Sequence, residues 1–122
     1  MASAARPLPP WLTVTTAPAP AVVEGRACRT RAAFFEEVAR VLCLPAYFGR
    51  NWDALTDSLR DIGPTRLVVR HAEELLDAEP PGQFATLLAV LAGAAESGLT
   101  LTLHAGPGHE PLLRRRVIEA LS

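Results

Sequence analysis

Three aspartates stand four residues apart, at positions 53, 57 and 61, and an aromatic–glycine segment, Tyr47-Phe48-Gly49-Arg50-Asn51, runs directly into them. Carboxylates at that spacing share one edge of a helix. With Asp53 at zero, Asp57 lies at about 40° and Asp61 at about 80° for a period of 3.6 residues. Trp52, Leu55, Leu59 and Ile62 fall at roughly 180–260° on the same wheel, so the helix turns apolar side chains inward and acids outward. Like charges at i, i+4 cost a helix roughly 0.2–0.5 kcal/mol per pair. Either local cations offset that cost or a cationic partner does. Arg60, at about −20° on the wheel, and Arg50 in the loop are the nearby cations.

The residue types narrow what such a row can perform. A metal site is disfavoured, because aspartates at i, i+4 without further ligands make a poor cage for a hard cation. General acid/base work needs a shielding pocket that drives two carboxyl pKa values apart, and an outward helix edge does not supply one. Two readings remain. One is a solvated polar face quenched by the neighbouring arginines. The other is a surface that offers carboxylates to the basic groups of another molecule.

The elements that position these residues can be read from periodicity and caps. Residues 1–20 hold five of the eleven prolines and read as a mostly extended arm, in which 11–16 (WLTVTT) can form a short edge strand. A second strand is expected over 21–25 (AVVEG), ended by its Glu-Gly turn. Thr30 is an N-cap for a helix over 31–42, whose Phe34, Phe35, Val38, Val41 and Leu42 recur at helical spacing. Pro45 ends that helix, and Asn51 caps the aspartate helix over 52–62. A buried strand over 66–70 (RLVVR), a short acidic helix over 72–78, a helix over 83–97 closed by Gly98, and an alternating strand over 99–105 follow. Residues 106–122 read as a C-terminal extension containing a short amphipathic helix. Strands separated by helices imply crossovers, hence an α/β domain: a small parallel sheet of three or four strands flanked by about four helices.

Composition bounds the function classes. At 122 residues the chain holds one core, and the balance of 12 basic to 13 acidic residues announces no nucleic-acid-binding surface. All twelve basic residues are arginine, and the stretch 53–79 carries seven acids against three arginines. That acidic centre favours a cationic partner over a phosphate backbone. Cys28 and Cys43 are expected to be buried free thiols of a reducing compartment. The N-terminus reads as having no secretory leader and no run is long enough for a membrane helix, so the expected compartment is the cytoplasm. His71 and His104 each close an expected strand, and parallel strands could bring them together at one sheet end as the seed of an enzyme. Structural histidines are the plainer reading, and no phosphate loop, nucleophile elbow or metal-ligand quartet accompanies them. Arg114–Arg116 read as a solvated helix face.

Residues 44–61, LPAYFGRNWDALTDSLRD, resemble the signature of the barstar family, intracellular proteinaceous inhibitors of secreted microbial ribonucleases. Leu44, Pro45, Tyr47, Phe48, Gly49, Asn51, Asp53, Ala54, Leu55 and Asp57 carry the resemblance. It extends outward over about residues 21–105, leaving the arm and the tail outside. It implies a barstar-like fold and a docking surface without catalysis or cofactor: Tyr47, Gly49, Asn51, Asp53, Thr56 and Asp57 would meet the basic active site of a barnase-type ribonuclease. Its carboxylates would stand where RNA phosphate sits, with no direct contact to nucleic acid or membrane, in a protein that is monomeric when free. An immunity protein for a toxin-borne nuclease, or an interaction adaptor without a nuclease target, would use the same surface. Two positions depart from the pattern. Thr56 stands where the best-known member has tryptophan, and the acid expected on the last helix of the family falls near Gly93, with Glu96 the nearest acid.

Overall fold

The computed structural model describes residues 7–15 and 23–122. Eight regular elements follow in chain order: β1 (Leu12–Thr15), β2 (Val23–Glu24), α1 (Arg31–Val41), α2 (Trp52–Ile62), β3 (Thr65–Arg70), α3 (Pro81–Ala95), β4 (Leu99–His104) and α4 (Glu110–Leu121). Short 3-10 turns, Gly25–Ala27 and Ala72–Glu74, follow β2 and β3. The sheet has four strands in the order β1-β4-β3-β2, and every pairing is parallel. The expected α/β architecture is present, with the larger of the two strand numbers.

Register explains which face is buried. Leu12, Leu67 and Leu101 stand side by side, as do Val14 and Leu103, and Val69 pairs with both Val23 and Leu103. These side chains all point to the face that the helices cover, where Phe34, Phe35, Leu55, Leu59, Phe84 and Leu88 complete one continuous core. The period-2 alternation of β4 is the cause: Leu99, Leu101 and Leu103 are buried, while Thr100 and Thr102 face the other side. The connections crossing between parallel strands carry helices, and those helices bury the sheet's apolar face.

Caps set the helix boundaries. The Thr30 hydroxyl accepts from Ala33 N at 3.2 Å and starts α1. Gly63, at φ 76°, ends α2, and its N–H donates to the Leu59 carbonyl. Pro81 occupies the first turn of α3, where its missing N–H costs nothing, so this helix begins two residues earlier than its apolar pattern suggests and ends at Ala95. The Gly25 turn is a close approach: a Cβ there would collide with the His71 carbonyl oxygen and lie 2.6 Å from that of Arg70.

Several expectations need correction. The acidic stretch after β3 is a 3-10 turn over Ala72–Glu74 followed by further turns, not a helix to residue 78. Its amides pair elsewhere: Leu76 N donates to the Cys28 carbonyl and Ala78 N to that of Arg29. Leu75 and Leu76 thereby enter the core. Ile62, placed on the apolar side of the wheel, is exposed at the end of α2. Of the expected strand 21–25, Val23 and Glu24 are in the sheet and Gly25 opens the first 3-10 turn, whereas residues 21 and 22 lie outside the described residues, as does Thr16 of the first strand.

The two cysteines are not alike. Cys28 is buried, but Cys43 is exposed, because the chain leaves α1 through a left-handed residue at Cys43 itself (φ 54°). Burial pushes the Cys28 thiol up to about 12, with the Glu37 and Glu24 carboxylates adding to it. A thiol-specific reagent at pH 8 is therefore expected to titrate one equivalent on the native protein and two after unfolding in guanidinium. Two rapid equivalents on the native protein would contradict this burial.

Candidate functional site

The loop before α2 is pinned at both ends to one ring. Phe48 is buried and meets Phe35 edge-on, with ring centroids 6.2 Å apart. Trp52, the first residue of α2, meets the same Phe35 ring at 4.8 Å, also edge-on. Each pairing fits the quadrupole preference of aromatic rings for tilted contact. The Trp52 indole N–H donates to Gln83 Oε1 at 3.1 Å, which ties the start of α2 to the start of α3. Trp52 is thus a half-buried edge of the core, as its place on the wheel implies.

Between the two anchors the backbone is held by side chains. Asn51 Oδ1 accepts from Ala54 N at 2.7 Å, the N-cap bond, and Asn51 Nδ2 donates to the Gly49 carbonyl at 3.0 Å. A Cβ on Gly49 would come within 3.2 Å of that amide nitrogen and 3.3 Å of the Ala54 methyl, so the position tolerates little bulk. Arg50 lies in the left-handed region at φ 50°, which costs a residue with a Cβ about 1 kcal/mol or more. Its guanidinium reaches back to α1, donating from Nε to Glu36 Oε2 at 2.5 Å, from Nη2 to Glu36 Oε1 at 3.4 Å, and from Nη1 to the Phe48 carbonyl at 3.3 Å. Hydrogen bonding to that guanidinium holds the Glu36 carboxyl below the usual carboxylate range. A lowered folded-state pKa means that the pair persists at neutral pH and is released only as pH falls through that value.

This arrangement corrects the expectation that Arg50 quenches the aspartates. Its charge is committed to Glu36. Arg60 makes the single local pairing of the row, 3.7 Å from Asp57, and both partners are more than two-thirds exposed, so solvent screens the contact strongly. Among the described residues Asp53 and Asp61 make no ion pair. Asp53 sits in the first turn, where the positive end of the helix dipole favours it, while Asp61 lies in the last turn, where the dipole opposes it.

The result is an exposed acidic edge that follows an aromatic loop anchored by Phe48 and Trp52. Asp53 and Asp57 are exposed, and Tyr47 has 88% of its surface in solvent. Thr56 is half-buried, and its hydroxyl donates back to the Trp52 carbonyl at 2.9 Å. On the neighbouring helix, Gly93 is exposed with open space around it, and Glu96 is the exposed C-cap of α3. Two surface hollows of about 240 and 450 Å³ both border Arg116, and no residue of the loop or of α2 lines either. Asp53, Asp57 and Tyr47 project into solvent, where another molecule can reach them.

The remaining candidates have local roles. His71 Nδ1 lies 2.7 Å from Glu24 Oε2. Among the described residues, both ring nitrogens of His104 are buried without a hydrogen-bond partner. Arg114 bonds Glu110 and the Val14 carbonyl, and Arg116 lies 3.9 Å over the Phe84 ring, so two of the three tail arginines brace α4 on the domain. Among the described residues no cluster of His, Cys, Asp and Glu could hold a metal ion, and no helix is long and apolar enough to cross a membrane. The Glu36–Arg50 pair is the feature that sequence reasoning missed. Its only signal was an acid on the exposed face of α1, fourteen residues before the loop arginine.

Comparison with known families places most of this chain. Residues 19–106 match the model of the family described as Barstar (barnase inhibitor). That span holds β2 to β4, α1 to α3, the loop and the acidic edge. No curated protein and no solved structure matches the chain.

Proposed function

Because the chain belongs to the barstar family, one of ribonuclease inhibitors rather than enzymes, we propose that it binds a barnase-type microbial ribonuclease and blocks its active site. The observation that carries this reading is the pair Asp53 and Asp57 on an exposed helix edge, almost unquenched by the protein's own arginines. A ribonuclease active site must bind phosphate, so it presents cationic donors. Carboxylates accept such donors in short charge-assisted bonds. In solution the two aspartates are screened by water. In the complex they lose that water and are tolerable only because they are paired.

Each neighbouring residue has a place in this reading. Tyr47 supplies a large contact area whose ordering on docking costs little, because the residues after it are already held, Phe48 by its packing on Phe35 and Gly49 by the Asn51 side chain. Gly49 lets the partner approach the backbone closely. Thr56, half-buried between the aspartates, occupies the middle of the contact. The protein itself makes and breaks no bond, and the opposed fields of inhibitor and enzyme speed encounter, increasingly so at low salt. The compartment that fits this role is the cytoplasm, where the inhibitor would meet the enzyme before export.

The test is direct. Purified protein is titrated into a guanyl-preferring secreted ribonuclease of the barnase type while cleavage of a fluorogenic RNA is followed. Stoichiometric loss of cleavage, weakening as salt rises, is the expected result. Undiminished cleavage by a panel of such enzymes at micromolar inhibitor would overturn the proposal.

A further inference from the structure

We infer that the Glu36–Arg50 pair is a positioning device for the docking face: it locks the 47–51 loop in its binding shape and keeps a guanidinium off the aspartates. The inference rests on the reading of that face given above, and it adds two residues outside the set implied by the family signature. Three observations carry it. Arg50 holds a left-handed backbone conformation although it has a Cβ. Something must stabilise that conformation, and its side chain makes three bonds, two to Glu36 and one to the Phe48 carbonyl. Finally, Arg50 is only three residues from Asp53, yet its charge is spent on α1, away from the acidic edge.

The geometry makes the pair a strut. Glu36 follows Phe35 in α1, and Phe35 is the ring on which Phe48 and Trp52 both rest. Apolar packing thus fixes the two ends of the loop, and the ion pair fixes its middle to the same turn of the same helix. A carboxylate that accepts from two guanidinium nitrogens constrains direction as well as distance. Removing Glu36 has two consequences: the loop loses its strut, and Arg50 becomes free to turn toward Asp53. Removing the Arg50 side chain has only the first. Ala at position 50 has the same left-handed strain as Arg, so Arg50→Ala isolates the side chain.

The experiment compares the full-length protein with Glu36→Gln, Arg50→Ala and the charge swap Glu36→Arg/Arg50→Glu. Backbone amide order parameters across residues 47–51, measured without any partner, are expected to fall in both single variants and to recover in the swap. Against a barnase-type ribonuclease, dissociation is expected to quicken about fivefold in each single variant and to return close to the parent rate in the swap. Association should slow only in Glu36→Gln, and the slowing should vanish at high salt. Unchanged loop order in both single variants overturns the inference. So does unchanged dissociation in a protein whose Asp53→Ala/Asp57→Ala variant has lost inhibition. If that aspartate variant still inhibits fully, the docking face itself has been misplaced, and loop order alone then decides whether the strut exists.

Discussion

Replacing Asp53 and Asp57 together by alanine is expected to abolish ribonuclease inhibition while leaving the fold as stable as before. The two effects separate because the carboxylates are solvated in the free protein. Asp53 has no ion pair among the described residues, and Asp57 has only its loose contact with Arg60. Removing the like-charged pair relieves about 0.2–0.5 kcal/mol, and losing the N-terminal charge of α2 gives up about 0.3–1 kcal/mol, so the net change in stability stays below about 1 kcal/mol. In a complex the balance differs. Each lost carboxylate would leave buried cationic donors unpaired, at a cost of about 3–5 kcal/mol, or roughly two to four orders of magnitude in affinity. Titration of the double variant against the inhibited enzyme, beside a thermal melt, reads both quantities. A variant that melts normally and still inhibits at the parent's concentration would show that the acids are a solvated face and nothing more.

The second large effect is expected in the core beneath the loop. Phe35→Ala should cost about 3–5 kcal/mol, the range for truncating a buried phenylalanine in a core that collapses only partly. Phe35 is 2% exposed and touches three other rings, Phe34, Phe48 and Trp52, with centroids 5.7, 6.2 and 4.8 Å away. The void would open where α1, the loop and the start of α2 meet, so no single element can move in to fill it. For a domain of this size the loss corresponds to a fall in melting temperature of about 10–20 °C. Phe35→Leu, which keeps most of the volume, should recover the larger part. Chemical denaturation of both variants checks the order, and a loss under about 1 kcal/mol for Phe35→Ala would mean that the ring is not the shared anchor.

How much of this was legible beforehand depended on the distance between interacting residues. The two helices that build the site were readable because their signals are local. Thr30 and Asn51 cap them, and their apolar residues recur at helical spacing. The alternation of β4 was equally plain. What escaped depends on contacts far apart in sequence. Residues 72–78 look helical by composition, but Leu76 N and Ala78 N bond carbonyls 48 and 49 residues earlier, and those bonds replace a helix's own. Cys43 looks like a buried thiol by residue type, yet its left-handed backbone at the exit of α1 turns it to solvent. Arg50 was readable as a cation near the acids, but its engagement with Glu36 was not, because loop conformation decides it. The match of residues 44–61 to the barstar signature was local again, which is why the family could be recognised before the sheet could be drawn.

The strand order β1-β4-β3-β2 bears on when this protein can be finished during its own synthesis. β4 lies between β1 and β3, yet it is made last of the four strands. Until residue 104 has left the ribosome, β1 lacks the strand it pairs with among the described residues, and β3 has only the two residues of β2. Closing such long loops is slow compared with forming hairpins, so the sheet closes in one late step after β4 emerges rather than strand by strand. On the proposed function, a cell that makes both molecules would need completed inhibitor in hand before the first enzyme folds, and gene order and timing of expression would become part of what protects it.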